Sequence, residues 1–126
     1  MATIFADLQL DMIAILAVSD HVIVGNLPTL DIDNGGTYAG DATRVQWVND
    51  WNALIDTLPS VMEAVDAAYA GRVHVVDEFN AFGGHNPSIG SNAFNLWLTA
   101  DYHLNGWGHW LQGELFAKKA AELIGE

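Results

Sequence analysis

An acid and a histidine stand two positions apart, at Asp101 and His103, just before an amphipathic stretch near the end of the chain. A carboxylate beside a histidine can hold one ring nitrogen by a hydrogen bond and leave the other nitrogen free to take a proton. Such a pair can serve as a general acid–base unit. We therefore take His103 as a candidate catalytic base and Asp101 as its orienting partner.

A base of this kind needs a nucleophile, and the chain contains four serines and no cysteine. Ser19 ends a predicted helix and Ser60 follows a proline, so both are expected to be structural. Ser88 and Ser91 lie in a loop rich in Gly and Asn that precedes the acid–histidine pair. Ser91 is the candidate nucleophile, although ordinary hydrogen bonding within a loop is the competing interpretation of both serines.

Five tryptophans could form a wall against a bound substrate. Trp97 and Trp107 flank the acid–histidine pair in sequence and are the best candidates for that role. Trp47 and Trp51 are four positions apart on a predicted helix, so we expect them to pack in the core or in a dimer interface.

A metal site is an alternative use of the same region. Asp101, His103, His109 and His85 could converge, and imidazole with carboxylate suits zinc and similar divalent ions. His103 and His109 are six positions apart, however, which is not the spacing of four in helical zinc motifs. We therefore predict no metal at these residues and expect His109 on the first turn of the last helix.

The elements that must position these residues alternate between helix and strand. Apolar residues at helical spacing predict an amphipathic helix over residues 4–18. Short β-branched runs at 22–24 and 72–76 suit buried parallel strands, in or beside which His21 and His74 are expected to be structural.

Between the strands, Asp41 or Thr43 would cap a helix whose apolar positions extend to residue 58. Pro59 marks a kink or a restart, after which helix-like spacing continues to a terminator at Gly71. Residues 79–95 form a long loop, and a last helix carries apolar positions over residues 110–123.

Two strands joined by a crossover helix predict an α/β fold built on a right-handed parallel β-α-β unit with flanking helices. The 126 residues make one domain, 1–126. A two-stranded sheet leaves edges that invite pairing with another chain. We therefore expect a non-monomeric protein, either a symmetric homodimer with a continuous sheet or a chain that completes a sheet supplied by another polypeptide.

The composition excludes several classes of function. Sixteen acids against four bases give a net charge of −12, so nothing supplies a basic patch for nucleic acid or for an anionic membrane. The absence of cysteine excludes disulfides, thiol catalysis and zinc–thiolate sites. No basic residue precedes Arg44 and the apolar run 12–18 is too short to span a bilayer, so we expect a soluble chain without a usual secretory signal, of undetermined compartment.

The segment Asp101-Tyr-His103-Leu104-Asn105-Gly-Trp-Gly108-His109 resembles the closing D-x-x-H motif of the SGNH (GDSL-type) hydrolases. Two further stretches support the resemblance: the one from His21 to Pro28, which ends in N-L-P, is similar to the family's fourth strand, and the one from Val73 to Asp77 to its fifth. The resemblance covers the C-terminal half of that family. It implies the second half of a flavodoxin-like sheet.

The resemblance also implies a carboxylesterase-like activity on a small ester, without a cofactor. His103 matches the family histidine, whereas the acid stands two rather than three positions before it. The G-D-S nucleophile and G-x-N-D motifs are absent, so the serine would come from another chain or from Ser91. The loop that holds Ser91 and Asn92 lines the substrate cleft in the family, which makes Asn92 a substrate-binding candidate. The alternative function is a non-catalytic SGNH-like fragment that self-associates or binds a partner through an exposed sheet edge.

Overall fold

The computed structural model describes residues 2–28, 41–84, 98–100 and 103–125, and at 98–100 and 103 it describes the main chain alone. The elements, in chain order, are α1 (Ala2–Leu16), β1 (Val22–Gly25), α2 (Ala42–Val65), a 3-10 helix (Ala67–Tyr69), β2 (Val73–Val76), α3 (Glu78–Ala81), β3 (Leu98–Ala100), β4 (His103–Leu104) and α4 (Gly106–Ile124).

Strands β1 and β2 form a parallel pair, with α2 between them in the chain. Val22 lies opposite Val73 and Gly25 lies opposite Val76, so the two strands are in register along their whole length. The mixed α/β class and the parallel β-α-β unit are therefore confirmed.

One face of this pair carries the hydrophobic core. Side chains alternate between the faces of a strand, so Val22 and Val73 point the same way. They join buried residues of α1 and α2 in one cluster, whose members are Phe5, Met12, Leu16, Val22, Leu58, Met62 and Val73. Helices α1 and α2 thus cover the same face.

Helix α4 covers the opposite face. A side chain added at Gly25 would come within 3.0 Å of the Phe116 ring, and α4 also contacts β2. The parallel pair therefore has helices against both of its faces.

Helix α2 begins where the sequence predicts and ends earlier than predicted. The Asp41 side chain accepts from the Arg44 amide at 3.1 Å and caps the first turn. The helix ends at Val65, because Asp66 adopts an extended conformation and caps the following 3-10 helix. Gly71, the predicted terminator, instead has a positive φ of 69° in the turn before β2.

The predicted restart at Pro59 is wrong, because α2 continues through it. Proline removes one amide donor from the helix. Buried residues on both sides of it, Ile55, Leu58 and Met62, anchor the helix to the core. Their packing holds both halves of α2 in one helix.

A short helix and a short pair of strands were missed in the predicted loop and beyond it. Residues 78–81 form α3, which is capped by Asp77 through a 3.1 Å bond from the Asn80 amide. Strands β3 and β4 form a short antiparallel pair, with Ala100 opposite His103. Both are too short to give a periodic pattern in the sequence.

The edges of the parallel pair bear on assembly. Among residues 2–28, 41–84, 98–100 and 103–125, no third strand pairs with β1 or β2.

Within the same ranges, every helix is too short or too polar to span a lipid bilayer.

Candidate functional site

Polar side chains gather where β1 and β2 end. Asn26 follows β1 directly, and Asp77 and Glu78 follow β2. In open α/β sheets ligands bind outside the carboxyl ends of the parallel strands. This group, together with the side chains that reach it from α2 and α4, is called the carboxyl-end site below.

Asn26 ties the two strand ends together. Its Nδ2 donates to Asp77 Oδ1 at 3.0 Å, and its Oδ1 accepts from the Phe79 amide at 2.9 Å. Asn26 is only 5% exposed, so both bonds lie mostly out of water. A buried amide with both ends bonded fixes the geometry of the site.

The pKa values of the two aspartates of the site, Asp56 and Asp77, are shifted in opposite directions. Partial burial and the nearby charge of Asp77 raise the pKa of Asp56, against a hydrogen bond from Asn26 that lowers it. Burial works to raise the pKa of Asp77 also, but hydrogen bonds from Asn26 and Asn80 lower it overall. Carboxyl groups whose pKa values are pushed apart can divide acid and base roles between them.

Glu78 is the most enclosed ionisable group of the site. It is 3% exposed, and its Oε2 accepts from Gln112 Nε2 of α4 at 2.7 Å. Its other carboxyl oxygen lies against Gly25, where the missing side chain leaves the space that it occupies. Burial raises the pKa of Glu78, and the Gln112 bond opposes that shift. Glu78 can therefore hold a proton at a higher pH than an exposed glutamate.

Asn52 of α2 fixes the chain just beyond β1. Its Oδ1 accepts from the Leu27 amide at 2.8 Å, and its Nδ2 donates to the Leu27 carbonyl at 3.2 Å. Asn52 is 7% exposed. These two hydrogen bonds resemble those of a neighbouring strand, and they hold the Asn-Leu-Pro segment beside the site.

The predicted catalytic residues are only partly described. The main chain of His103 lies in β4, directly before α4. Asp101, Ser91, Asn92 and Trp97 lie outside the described residues. Their convergence with His103 stays a prediction.

Of the predicted substrate wall, Trp107 is described, and it lies in the first turn of α4. It is 64% exposed and meets the Trp110 ring edge-on, with ring centroids 6.3 Å apart. His109 is exposed on the first turn of α4, as predicted. Asn105 caps that turn by accepting from the Gly108 amide at 2.9 Å.

The structural roles predicted for two serines and one tryptophan are confirmed. The Ser19 hydroxyl donates to the Ile15 carbonyl and the Ser60 hydroxyl donates to the Thr57 carbonyl, each at 2.8 Å. Trp51 packs against the core cluster and stacks on Trp47, with ring centroids 6.4 Å apart.

None of the carboxyl-end site residues was predicted as a site residue from the sequence, and Glu78, Asp56 and Gln112 are the clearest cases. An acid pair directly after a β-branched strand was a usable signal for Glu78. Asp56 and Gln112 gave no signal, because each lies on a helix whose solvent-facing side is generally polar.

Neither a group of possible metal ligands nor a similar known protein helps to interpret the site. In the part of the chain that the structure describes, no three His, Cys, Asp or Glu side chains are grouped so that they could hold a metal ion. The chain matches no protein-family model, no curated protein and no solved structure. The site must therefore be interpreted from its own chemistry.

Proposed function

We propose that the chain is an ester hydrolase of SGNH type, with a catalytic centre at the carboxyl ends of its parallel strands. His103 is the general base and Asp101 orients it. The nucleophile is Ser91 or a serine of another chain, and the substrate is a small ester held beside Trp97, Trp107 and Asn92.

The direction of α4 is the observation that supports this proposal. Gln112 of α4 contacts Glu78, beyond the end of β2, whereas Lys119 lies near enough to His74 to affect its pKa. The helix therefore runs from the carboxyl end of the strands toward their amino end. A residue three positions before α4, as His103 is, is expected on the side where α/β enzymes bind substrates.

The carboxyl-end site supports the same chemistry. Acyl transfer needs a base for the attacking hydroxyl and a fixed scaffold around it. The buried bonds of Asn26 and Asn52 provide rigidity there. The chemical step itself is assigned to His103, which takes the proton of the attacking hydroxyl and returns it to the leaving alcohol.

Hydrolysis of p-nitrophenyl acetate by the purified chain tests the proposal. We expect turnover that falls at least about 100-fold in His103→Ala, the size typical of a lost general base. His109→Ala is the matched control, because His109 is exposed on the adjacent turn and has no assigned role. Absence of turnover in the parent chain would overturn the proposal that this chain supplies its own nucleophile, and equal losses in both variants would overturn the role of His103.

A reactive fluorophosphonate identifies the nucleophile in the same preparation. Mass spectrometry of the labelled chain should locate the label on Ser91 if this chain supplies the serine. If the chain hydrolyses the ester but is labelled at another serine, His103 remains the proposed base and that serine replaces Ser91 as the proposed nucleophile.

Within the described ranges no further strand pairs with β1, which favours a second candidate function, self-association through that strand. The Val22 amide donates to the Arg72 carbonyl at 2.9 Å and the Asn26 amide donates to the Val76 carbonyl at 3.1 Å. The alternation along a strand therefore points the Ile23 amide the other way. A second copy could pair there. Light scattering should show a dimer that Ile23→Pro dissociates into folded monomers, whereas a monomeric parent chain would exclude this function.

A further inference from the structure

Two histidines face each other at the other end of the parallel pair. His21 directly precedes β1, and His74 is the second residue of β2. His21 Nδ1 and His74 Nε2 are 3.0 Å apart, and the ring centroids are 5.1 Å apart. One nitrogen donates the shared proton and the other accepts it, so each ring directs a nitrogen at the same small space.

We propose that His21 and His74 form a two-imidazole site for a late first-row divalent ion, with Cu²⁺ bound most tightly. Ligand nitrogens at about 2.0–2.1 Å from one ion lie about 2.9 Å apart at a right angle and about 3.3 Å apart at a tetrahedral angle. The observed 3.0 Å falls between these values. Slight rotation of both rings lets an ion replace the shared proton.

The charges near the pair bear on whether it can bind a cation. Lys119 lies near enough to His74 for its charge to act there. Lys119 also repels a cation, but its ammonium is 2.6 Å from the Glu122 carboxylate. The net charge of −12 attracts cations to the molecule as a whole.

The choice of ion follows from the ligand set. The described part of the chain brings no third His, Cys, Asp or Glu to this pair. Water then fills the remaining positions, which suits tetragonal Cu²⁺ and Ni²⁺, and the general order of affinity places Cu²⁺ above Ni²⁺ and Zn²⁺. Hard ions such as Mg²⁺ prefer oxygen ligands and should not bind the pair.

The site exists only in the folded chain. His21 and His74 are 53 positions apart, and the register of β1 and β2 brings them together. An ion that binds the folded state alone raises the folding equilibrium constant by a factor of about 11 when its free concentration is ten times its dissociation constant. Metal binding and stability should therefore change together.

Calorimetric titration of the full chain with Cu²⁺ tests the site. We expect one Cu²⁺ per chain at these residues, bound at least about tenfold more weakly by His21→Ala and by His74→Gln than by the parent chain, since each variant keeps one imidazole. His109→Ala, which removes an exposed histidine of α4, should leave that affinity unchanged. Thermal unfolding checks that both site variants are folded.

Electron paramagnetic resonance of the Cu²⁺ complex separates ligation from a structural effect. The parent chain and His109→Ala should show two equatorial imidazole nitrogens, and each site variant should show one. Unchanged affinity and nitrogen count in His21→Ala would overturn the proposal, as would tight binding of Mg²⁺ with the same stoichiometry. Neither result bears on the ester hydrolase proposal, which concerns other residues.

Discussion

The two ends of the β1–β2 pair use their polar residues differently. At the amino end, the Arg72 guanidinium donates to the carbonyls of Leu16, Ser19 and Asp20 at 2.7–2.8 Å. At the carboxyl end, Asn26 and Glu78 are almost fully buried. At the amino end a cationic side chain therefore binds the main-chain carbonyls at the end of a helix, whereas at the carboxyl end an acid and an amide are buried.

The difference separates two ways of satisfying polar groups. At the amino end, one side chain satisfies several main-chain carbonyls near solvent, and its charge remains partly hydrated. At the carboxyl end, side chains satisfy each other in a drier setting, where protonation depends on the fold. We therefore expect acid–base chemistry at the carboxyl end and a contribution to folding stability at the amino end.

The largest effect is expected at the amino end, from Arg72→Ala. The carbonyls of Leu16, Ser19 and Asp20 lose their charged donor, which should lower the free energy of unfolding by about 3 kcal/mol. Urea denaturation measures the change. Arg44→Ala is the control, because the Arg44–Asp41 pair is about half exposed and should cost under about 1 kcal/mol. Equal losses would contradict the assigned role of Arg72.

The next effect is at the carboxyl end, from Gly25→Ala. The added methyl group would overlap the Glu78 carboxyl and crowd the Phe116 ring. Glu78 must then leave Gln112, which should cost about 2 kcal/mol of unfolding free energy in urea. Gly113→Ala adds its methyl group in open space on α4 and should be neutral or stabilising.

A double variant sharpens that prediction. If the contact with Glu78 causes the loss, Gly25→Ala should cost less in a Glu78→Ala background than in the parent chain. Strict additivity of the two changes would mean that the glycine is needed for another reason.

A smaller effect is expected from Asn52→Ala. The Leu27 amide and carbonyl would lose their buried partner, at a cost of about 1.5 kcal/mol. The same denaturation assay measures it, and Gln46→Ala, which removes an exposed bond to Asp50, provides the comparison. A loss no larger than that of Gln46→Ala would show that water replaces Asn52.

The smallest change is a dependence on pH. Burial raises the pKa of Glu78 in the folded chain above its ordinary value of 4.5, so the unfolded chain releases this proton first as pH rises. The contribution of Glu78 to stability is therefore complete below pH 4.5 and decreases as pH rises through the folded-state pKa.

Glu78→Gln should remove that decrease. Unfolding free energies measured by urea from pH 4 to pH 8 should fall less steeply in the variant than in the parent chain. Parallel curves for the two proteins would show that folding does not raise the pKa of Glu78.

The sequence predicts the main elements well because their patterns are local. Spacing of apolar residues indicated α1 and α4, and β-branched runs indicated both parallel strands. Asp41, one of the two caps predicted for α2, is confirmed, and its capping bond joins residues three positions apart. Local chemistry of this kind is visible in a single chain.

The contents of the carboxyl-end site were less predictable. Glu78 and Gln112 are 34 positions apart and meet only after α4 packs on the sheet. The continuity of α2 through Pro59 likewise depends on core packing that no local rule contains. The roles of Asp101 and His103, and the non-monomeric state, stay predictions.

The bonds of Arg72 also set an order of events during synthesis. Leu16 precedes Arg72 by 56 positions, so the C-terminal end of α1 lacks this donor until that whole stretch has left the ribosome. Helix α1 therefore gains its last hydrogen bonds well after its own residues have been translated. Nascent chains arrested before β2 should leave α1 open to proteases, and extension past that strand should close it.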